Sequence, residues 1–297
     1  MPRLCWGHFI QCWPQHRGNA GKSECTLRRL DGSIGADVTP EGGQLLATWA
    51  ELNEELGKWS SQGETPTFWW RDDDTEACTD PLDRLISLSE RFDAPLHLAV
   101  IPHAIDVKLA ERLSASPQVY TLQHGYAHKN HEPKGTRASE VGKLRDLALI
   151  EKDLREGWRR MQLARLPNLL PVFVPPWNRI GEKVLPYLPV WGYVALSGFD
   201  ARPHPEPVPD LQHFNGHIDP IRWKEGAKFA GVEKTLEQCV RHLRKRRLEY
   251  AYRHEPTGLV SHHLQTDEDT WRFMEALMSR LTHNAATRWI SLDSLIK

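Results

Sequence analysis

No apolar run in the sequence approaches the roughly 18 residues a membrane-spanning helix needs. The first residues, 1–19, mix Cys, Trp, His, Gln and Pro where a secretory leader carries a clean apolar stretch. No leader is therefore legible, and a cytoplasmic location is the expectation. Cysteines are few: Cys5, Cys12, Cys25, Cys78 and Cys239 are odd in number and form no CxxC pair. That excludes a disulfide scaffold and a ribbon-type zinc site, and it fits a reducing compartment. An excess of one charge is also missing, since 38 Lys+Arg face 39 Asp+Glu for a formal net charge of −1. Neither nucleic acid nor a membrane surface is an expected partner. There is no internal repeat and no low-complexity tract. The composition that remains, 40% hydrophobic and 26% charged over 297 residues, is that of a globular protein able to bury a sizeable core. What the chain does have in quantity is histidine, 15 residues, and tryptophan, 12, which suit metal or acid–base chemistry and flat apolar surfaces.

Residues 1–43 lack any sustained period of two or 3.6 and are punctuated by glycines, so they read as a poorly ordered tail. A zinc knuckle from Cys5, His8, Cys12 and His16 is the sharper alternative, but no strand–turn–helix frame surrounds it. A regular domain is expected over 44–297. Leu45, Leu46, Trp49, Leu52, Leu56 and Trp59 predict a helix. The run from Pro66 to Arg71 predicts a buried strand that opens onto three aspartates. Further strands are predicted at Leu96–Ile101, Val119–Gln123, Val172–Val174, Gly192–Leu196, Leu259–Ser261 and Arg288–Ile290. Helices alternate with them, around Leu82–Leu88, Asp106–Leu113, Glu140–Met161, Glu182–Tyr187, Thr235–Leu248 and Trp271–Leu281. Strands alternating with helices mean a parallel α/β sheet, and about seven units point to a single-domain (β/α) barrel.

In such a fold chemistry gathers at the C-terminal ends of strands. Polar residues fall at just those places: Asp72-Asp73-Asp74, Pro102-His103, His124 to His128, Pro175 to Asn178, and Ser261-His262-His263. A spacing of four puts His124 and His128 on one side of a helical turn, able to share a metal. One aspartate with two histidines leaves coordination positions open for water. Three adjacent aspartates repel unless a cation offsets them, although Asp74 could instead cap the next helix. His217, Asp219 and Trp223 form a weaker candidate for a further strand end facing the pocket, against a plain structural loop. His103 reads as a solvated loop residue, Trp69 and Trp70 as core, and the basic run Arg241–Arg247 as a solvated helix face.

The order of strand with Asp-Asp, HxxxH, Pro-Trp and a late strand ending in His resembles the polysaccharide deacetylase superfamily, carbohydrate esterase family four and its relatives. The resemblance runs from about Thr67 to the C-terminus. The family's first motif falls on Trp70-Arg71-Asp72-Asp73 and its second on His124-Gly125-Tyr126-Ala127-His128. Its third falls on Val174-Pro175-Pro176-Trp177 and its fifth on Leu259-Val260-Ser261-His262. The resemblance implies a distorted (β/α) barrel of about seven strands and a divalent metal, zinc first among the candidates. It implies Asp72 as general base, with Asp73, His124 and His128 as metal ligands. His262 becomes the general acid with His263 as fallback, and Trp177 and Pro176 line the substrate pocket. Trp177 also offers a backbone N–H to the oxyanion.

Three departures stand out. Val174 occupies the third-motif arginine position, for which Arg71 or Arg179 is the nearest substitute. Gly125 replaces a hydroxyl residue. The fourth motif's Asp-x-x-Asp-Trp is missing, with Leu196 to Asp200 standing roughly in its place. The expected reaction is hydrolysis of an acyl group from an N- or O-acetylated carbohydrate. The alternatives are a cytosolic amidohydrolase acting on a small non-sugar amide and a binding protein that retains the barrel without catalysis.

Overall fold

Trp69 and Trp70 are neighbours on one strand and both fully buried, yet they belong to different cores. Strand residues alternate between faces, so each face needs its own apolar cover. In the computed structural model, which describes residues 47–202, 206 and 208–296, that cover is a ring of helices outside and the sheet's own curl inside. The cysteine–histidine knuckle reading and all of the predicted tail lie outside the described residues.

The described chain runs α1 (Trp49–Ser61), β1 (Thr67–Thr75), α2 (Asp80–Phe92), β2 (Leu96–Val100), α3 (Leu109–Ser114), β3 (Val119–His124), α4 (Leu147–Leu163) and β4 (Leu169–Val174). It continues through β5 (Ala195–Leu196), β6 (Gln212–His213), β7 (Ile221–Arg222), β8 (Lys228–Phe229), α5 (Val232–Arg247), β9 (Thr257–Ser261), α6 (Glu268–Thr282) and β10 (Arg288–Trp289). Seven strands follow one another in the order β9-β1-β2-β3-β4-β5-β6, every pair parallel, and the short β10 pairs with the start of β1. The chain just past β6 then meets β9. Ile218 N donates to Gly258 O at 2.9 Å and Val260 N to Ile218 O at 2.8 Å, which draws the two ends of the curl together. This is the distorted (β/α) barrel expected.

Parity sorts the side chains. Phe68, Trp70, Leu96, Leu98, Val100 and Leu259 face outward into one cluster with α1, α2, α5 and α6. Trp69, Ala99, Leu122, Val172, Val174 and Ala195 face inward and fill the barrel. Each fully buried Leu or Val contributes about 1.5–3 kcal/mol, so both faces fix the register strongly.

Three differences from expectation bear on the site. The aspartates do not follow β1 but lie within it, because their backbone is still hydrogen-bonded to β2 and β9. The fourth helix begins at Leu147 rather than Glu140. Asp146 caps it, accepting from Ala148 N at 2.8 Å, and the residues ahead form a loop. Nor does Asp74 cap α2, whose cap is Thr79, accepting from Leu82 N at 3.2 Å.

Candidate active site

The inward parity of β1 carries Trp69, Arg71 and Asp73, and the outward parity carries Trp70 and Asp72. Asp72 is accordingly buried behind the strand. Its Oδ2 accepts from Ser261 Oγ at 2.6 Å and from His263 N at 3.0 Å, and its Oδ1 lies 2.5 Å from His263 Nδ1. Burial lowers the basicity of His263, but the Asp72 charge and hydrogen bond more than offset it, so its pKa is raised. The site residues expected at Asp72 and His263 thus pair with each other, away from the barrel mouth. The cause is simple alternation: His262, still extended just past the end of β9, continues its inward parity, so the next residue does not.

Between Asp72 and Thr75 the pairing with β2 slips, and Asp74 adopts φ 68°. Such an irregularity re-aims a side chain. It turns Asp74 back to the mouth, where its Oδ1 lies 3.1 Å from His124 Nε2 and 3.3 Å from His128 Nε2. The sequence-based register places Asp73 beside these imidazoles; in the structure the carboxylate there belongs to Asp74. Asp73 is instead gripped by Arg71, with Nη2 donating to Oδ2 at 3.0 Å. Arg71 Nε lies 2.8 Å from Oδ1, a charge contact without hydrogen-bond alignment. Arg71 is itself buried and held by Ser197 Oγ at 2.6 Å and Asn178 Oδ1 at 2.6 Å. Of the two arginines considered as substitutes, Arg179 donates to Ala138 O and leaves Asp73 to Arg71.

The two histidines do not share a helical turn. His124 ends β3, and His128 lies in the loop after it with φ 51°. Glu140 holds that loop, accepting from Tyr126 N at 3.0 Å and Ala127 N at 2.9 Å. Gly125, at φ 55°, leaves room for this carboxylate, since a Cβ there would stand 1.9 Å from Glu140 Oε2 and 2.6 Å from Pro176 Cγ. The missing hydroxyl residue is therefore a packing requirement. His124 Nδ1 lies 3.0 Å from Val174 O and must carry the proton there, which leaves the Nε2 lone pair facing Asp74. Two acceptors 3.1 Å apart repel unless a proton or a cation sits between them. Burial pushes the Asp74 carboxyl up, but the His124 hydrogen bond and charge outweigh it and hold it well below the usual range. His128 is lowered, first by burial and then by the His124 charge. An Asp-His-His donor set with converging atoms fits a first-row divalent ion.

His262 stands across the mouth, its Nε2 3.8 Å from Asp73 Oδ2 and its ring edge-on to Trp223 at 4.6 Å. Trp223 Nε1 donates to Asp219 Oδ2 at 2.8 Å, and burial raises the Asp219 pKa. Asp219 and Trp223 thus stand beside His262, and the stretch 196–200, which stands roughly in the place of the missing fourth motif, lies at Arg71. That stretch lends Arg71 the Ser197 and Gly198 carbonyls. Trp177 packs against His128 at 4.3 Å between centroids, in a left-handed turn with Asn178, and Pro176 is buried beneath Gly125. His103 is exposed and touches Tyr126. A small pocket of about 170 Å³ opens beside Arg71's partners, lined by Pro175, Asn178, Leu196, Phe199 and His213.

No family model and no curated protein sequence matches the chain. Solved structures do. A mutant CE4 family pseudoenzyme with restored enzymatic activity, from Bacillus anthracis, is 13% identical with a TM-score of 0.50, over 75% of this chain and 65% of that one. A peptidoglycan deacetylase mutant from Bacillus subtilis is 9% identical with a TM-score of 0.48, over 78% and 90%. A family 4 acetyl xylan esterase from Clostridium thermocellum, in complex with a cobalt ion, is 12% identical with a TM-score of 0.44, over 77% and 89%. At these identities the first of them speaks for the fold alone: the chain has the fold of that CE4 family structure.

Proposed function

We propose that this protein is a metal-dependent hydrolase that removes an acetyl group from an N- or O-acetylated carbohydrate. One observation carries the reading: Asp73, the Asp74–His124–His128 donor set and His262 converge at one barrel mouth. A divalent ion, zinc first among candidates, held by Asp74, His124 and His128 would lower the pKa of water and polarise the acyl carbonyl. Asp73 takes a proton from the attacking water while Arg71 fixes the direction of its lone pairs. The water oxygen bonds to the acyl carbon and the C–N or C–O bond breaks. His262 supplies the proton that the leaving amine or alkoxide needs. Trp223 and Asp219 on its far side keep the ring aimed at the mouth, and Trp177 walls the substrate.

The same chemistry acting on a small non-sugar amide is the alternative reading. A single panel of acetylated sugars and small acetamides, scored by acetate release, separates the two. The assignment of roles has its own test, metal stoichiometry beside turnover. Asp74→Ala and His128→Ala lose the metal. Asp73→Asn keeps the metal and loses about 10²–10⁴-fold in turnover. Asp72→Asn keeps both at near wild-type level in the surviving folded fraction. Full metal content in Asp74→Ala, or normal turnover in Asp73→Asn, sinks the assignment.

A further inference from the structure

Six residues before Asp73, at the opposite end of β1, lies a second cavity of about 570 Å³. Strand rise puts it about 20 Å from the catalytic mouth. It is framed by the starts of β1 and β10, by the end of α5, and by the chain entering β9. The polar lining includes Thr67, Arg246, Arg253, His254 and Arg288, against one acidic residue, Glu64.

The charge here is unbalanced. Arg246 is 2% exposed, and buried guanidinium groups normally have a carboxylate partner. This one has no carboxylate at ion-pair distance among the described residues, and Glu255 acts on it only from further away. Its Nε donates to Arg253 O at 3.1 Å, and its Nη1 to Thr67 O at 3.1 Å and Thr257 Oγ1 at 3.0 Å, leaving Nη2 without a partner. Arg253 shares Trp59 with it, the guanidinium carbons of Arg246 and Arg253 lying 5.1 Å and 5.4 Å from that ring. Glu64 and Glu249 reach Arg253 only loosely, at 3.7 Å and 3.9 Å. Arg288 is exposed at the start of β10 and its side chain has no partner among the described residues. Trp59 Nε1, fully buried beside the cavity, is also unpartnered.

From this geometry we infer that the cavity binds the phosphate group of a small phosphomonoester. Two guanidinium groups without a direct ion pair, and a third that meets its carboxylates only at 3.7 Å and 3.9 Å, leave N–H donors free along the cavity wall. Their forked donors match phosphate oxygens. The volume exceeds that of a bare phosphate and falls in the range of small-metabolite pockets, with Ile290 and Leu295 available to the organic part. The site lies at the end of the barrel opposite the chemistry, so its ligand is distinct from the acetylated substrate.

The test is calorimetric titration of the full chain carrying His124→Ala and His128→Ala, which removes phosphate binding at the candidate metal centre. Inorganic phosphate and phenyl phosphate are the probes, with sodium chloride at matched ionic strength as reference. Both probes bind at 1:1, phenyl phosphate more tightly, and Arg288→Gln weakens both by at least tenfold. Arg253→Gln in the same background weakens them further. Tighter phenyl phosphate identifies an ester as the ligand. Binding of inorganic phosphate alone overturns the ester. No heat beyond the chloride reference, or undiminished binding in the Arg288→Gln protein, overturns the site.

Discussion

Asp72, Asp73 and Asp74 are chemically identical and adjacent, yet each has different company. Asp72 bonds to Ser261 and His263 behind the strand, Asp73 to Arg71 in the barrel, and Asp74 faces two imidazoles at the mouth. Only the backbone separates them: alternation divides the first two, and the left-handed φ of Asp74 returns the third to the same side as the second. The histidines, the tryptophan and the presence of an aspartate pair were legible from residue type and order. The choice of which two aspartates was not, because a motif written as Asp-Asp carries no parity and the bulge leaves no mark on composition. Gly125 allows a residue-level prediction. Gly125→Ser restores the hydroxyl that the second motif prefers, but its Cβ meets Glu140 and Pro176 at a positive φ. The left-handed backbone and the overpacking together cost about 2–4 kcal/mol. Urea denaturation should show that loss, and the proposed metal should be held more weakly, because Glu140 is the group that holds the His128 loop. A variant as stable as the wild type removes the packing explanation.

At the scale of elements, what the sequence patterns reported well were apolar periods. The strands at β1, β2, β3, β4 and β9 and the helices α2, α5 and α6 stand within a few residues of their expected places. Errors came where polar residues did the work of an element. The segment 140–146 has helix-forming residues, and Leu144 and Leu147 continue the period of α4, so periodicity extends the helix backward. The structure ends it at Asp146 because that side chain satisfies Ala148 N and Leu149 N, while Glu140 is needed by the His124–His128 loop. The sign of one substitution distinguishes the two descriptions. In a helix interior, Asp146→Ala stabilises, since alanine has the higher propensity. At an N-cap the same change removes two acceptor contacts and destabilises by about 1 kcal/mol. Chemical denaturation of Asp146→Ala should give the second result; a stabilised variant means that α4 begins earlier.

For the molecule as a whole, the barrel interior is closed from below by a neutral histidine, and this makes the fold sensitive to acid. His97 is the clearest case. It stands on the inner face of β2 between Trp69 and Tyr120, and it accepts Leu292 N at its Nε2, 3.0 Å away, while its Nδ1 faces Trp70 O at 2.9 Å. One ring therefore ties the chain after β10 to the centre of the sheet, and only the neutral form can do so, because protonation turns Nε2 from acceptor to donor. Burial pushes its pKa down to about 4, and His213 is likewise down at about 4 by burial and the Arg202 charge. Between pH 6.5 and about 4 the unfolded chain binds protons that the native one refuses, so stability falls as pH falls through that window. For fully buried His97 the shift corresponds to about 3 kcal/mol. Carboxylates whose pKa is depressed, such as Glu255, lose their contribution only further into acid. Unfolding free energy followed in urea from pH 7 to pH 4 should therefore decline steeply in the wild type. In His97→Gln, which lacks the titrating ring, it should start lower and decline by about 3 kcal/mol less. Parallel declines in the two proteins would mean that His97 is already protonated or solvated in the native state, and that the lower closure of the barrel is looser than its hydrogen bonds describe.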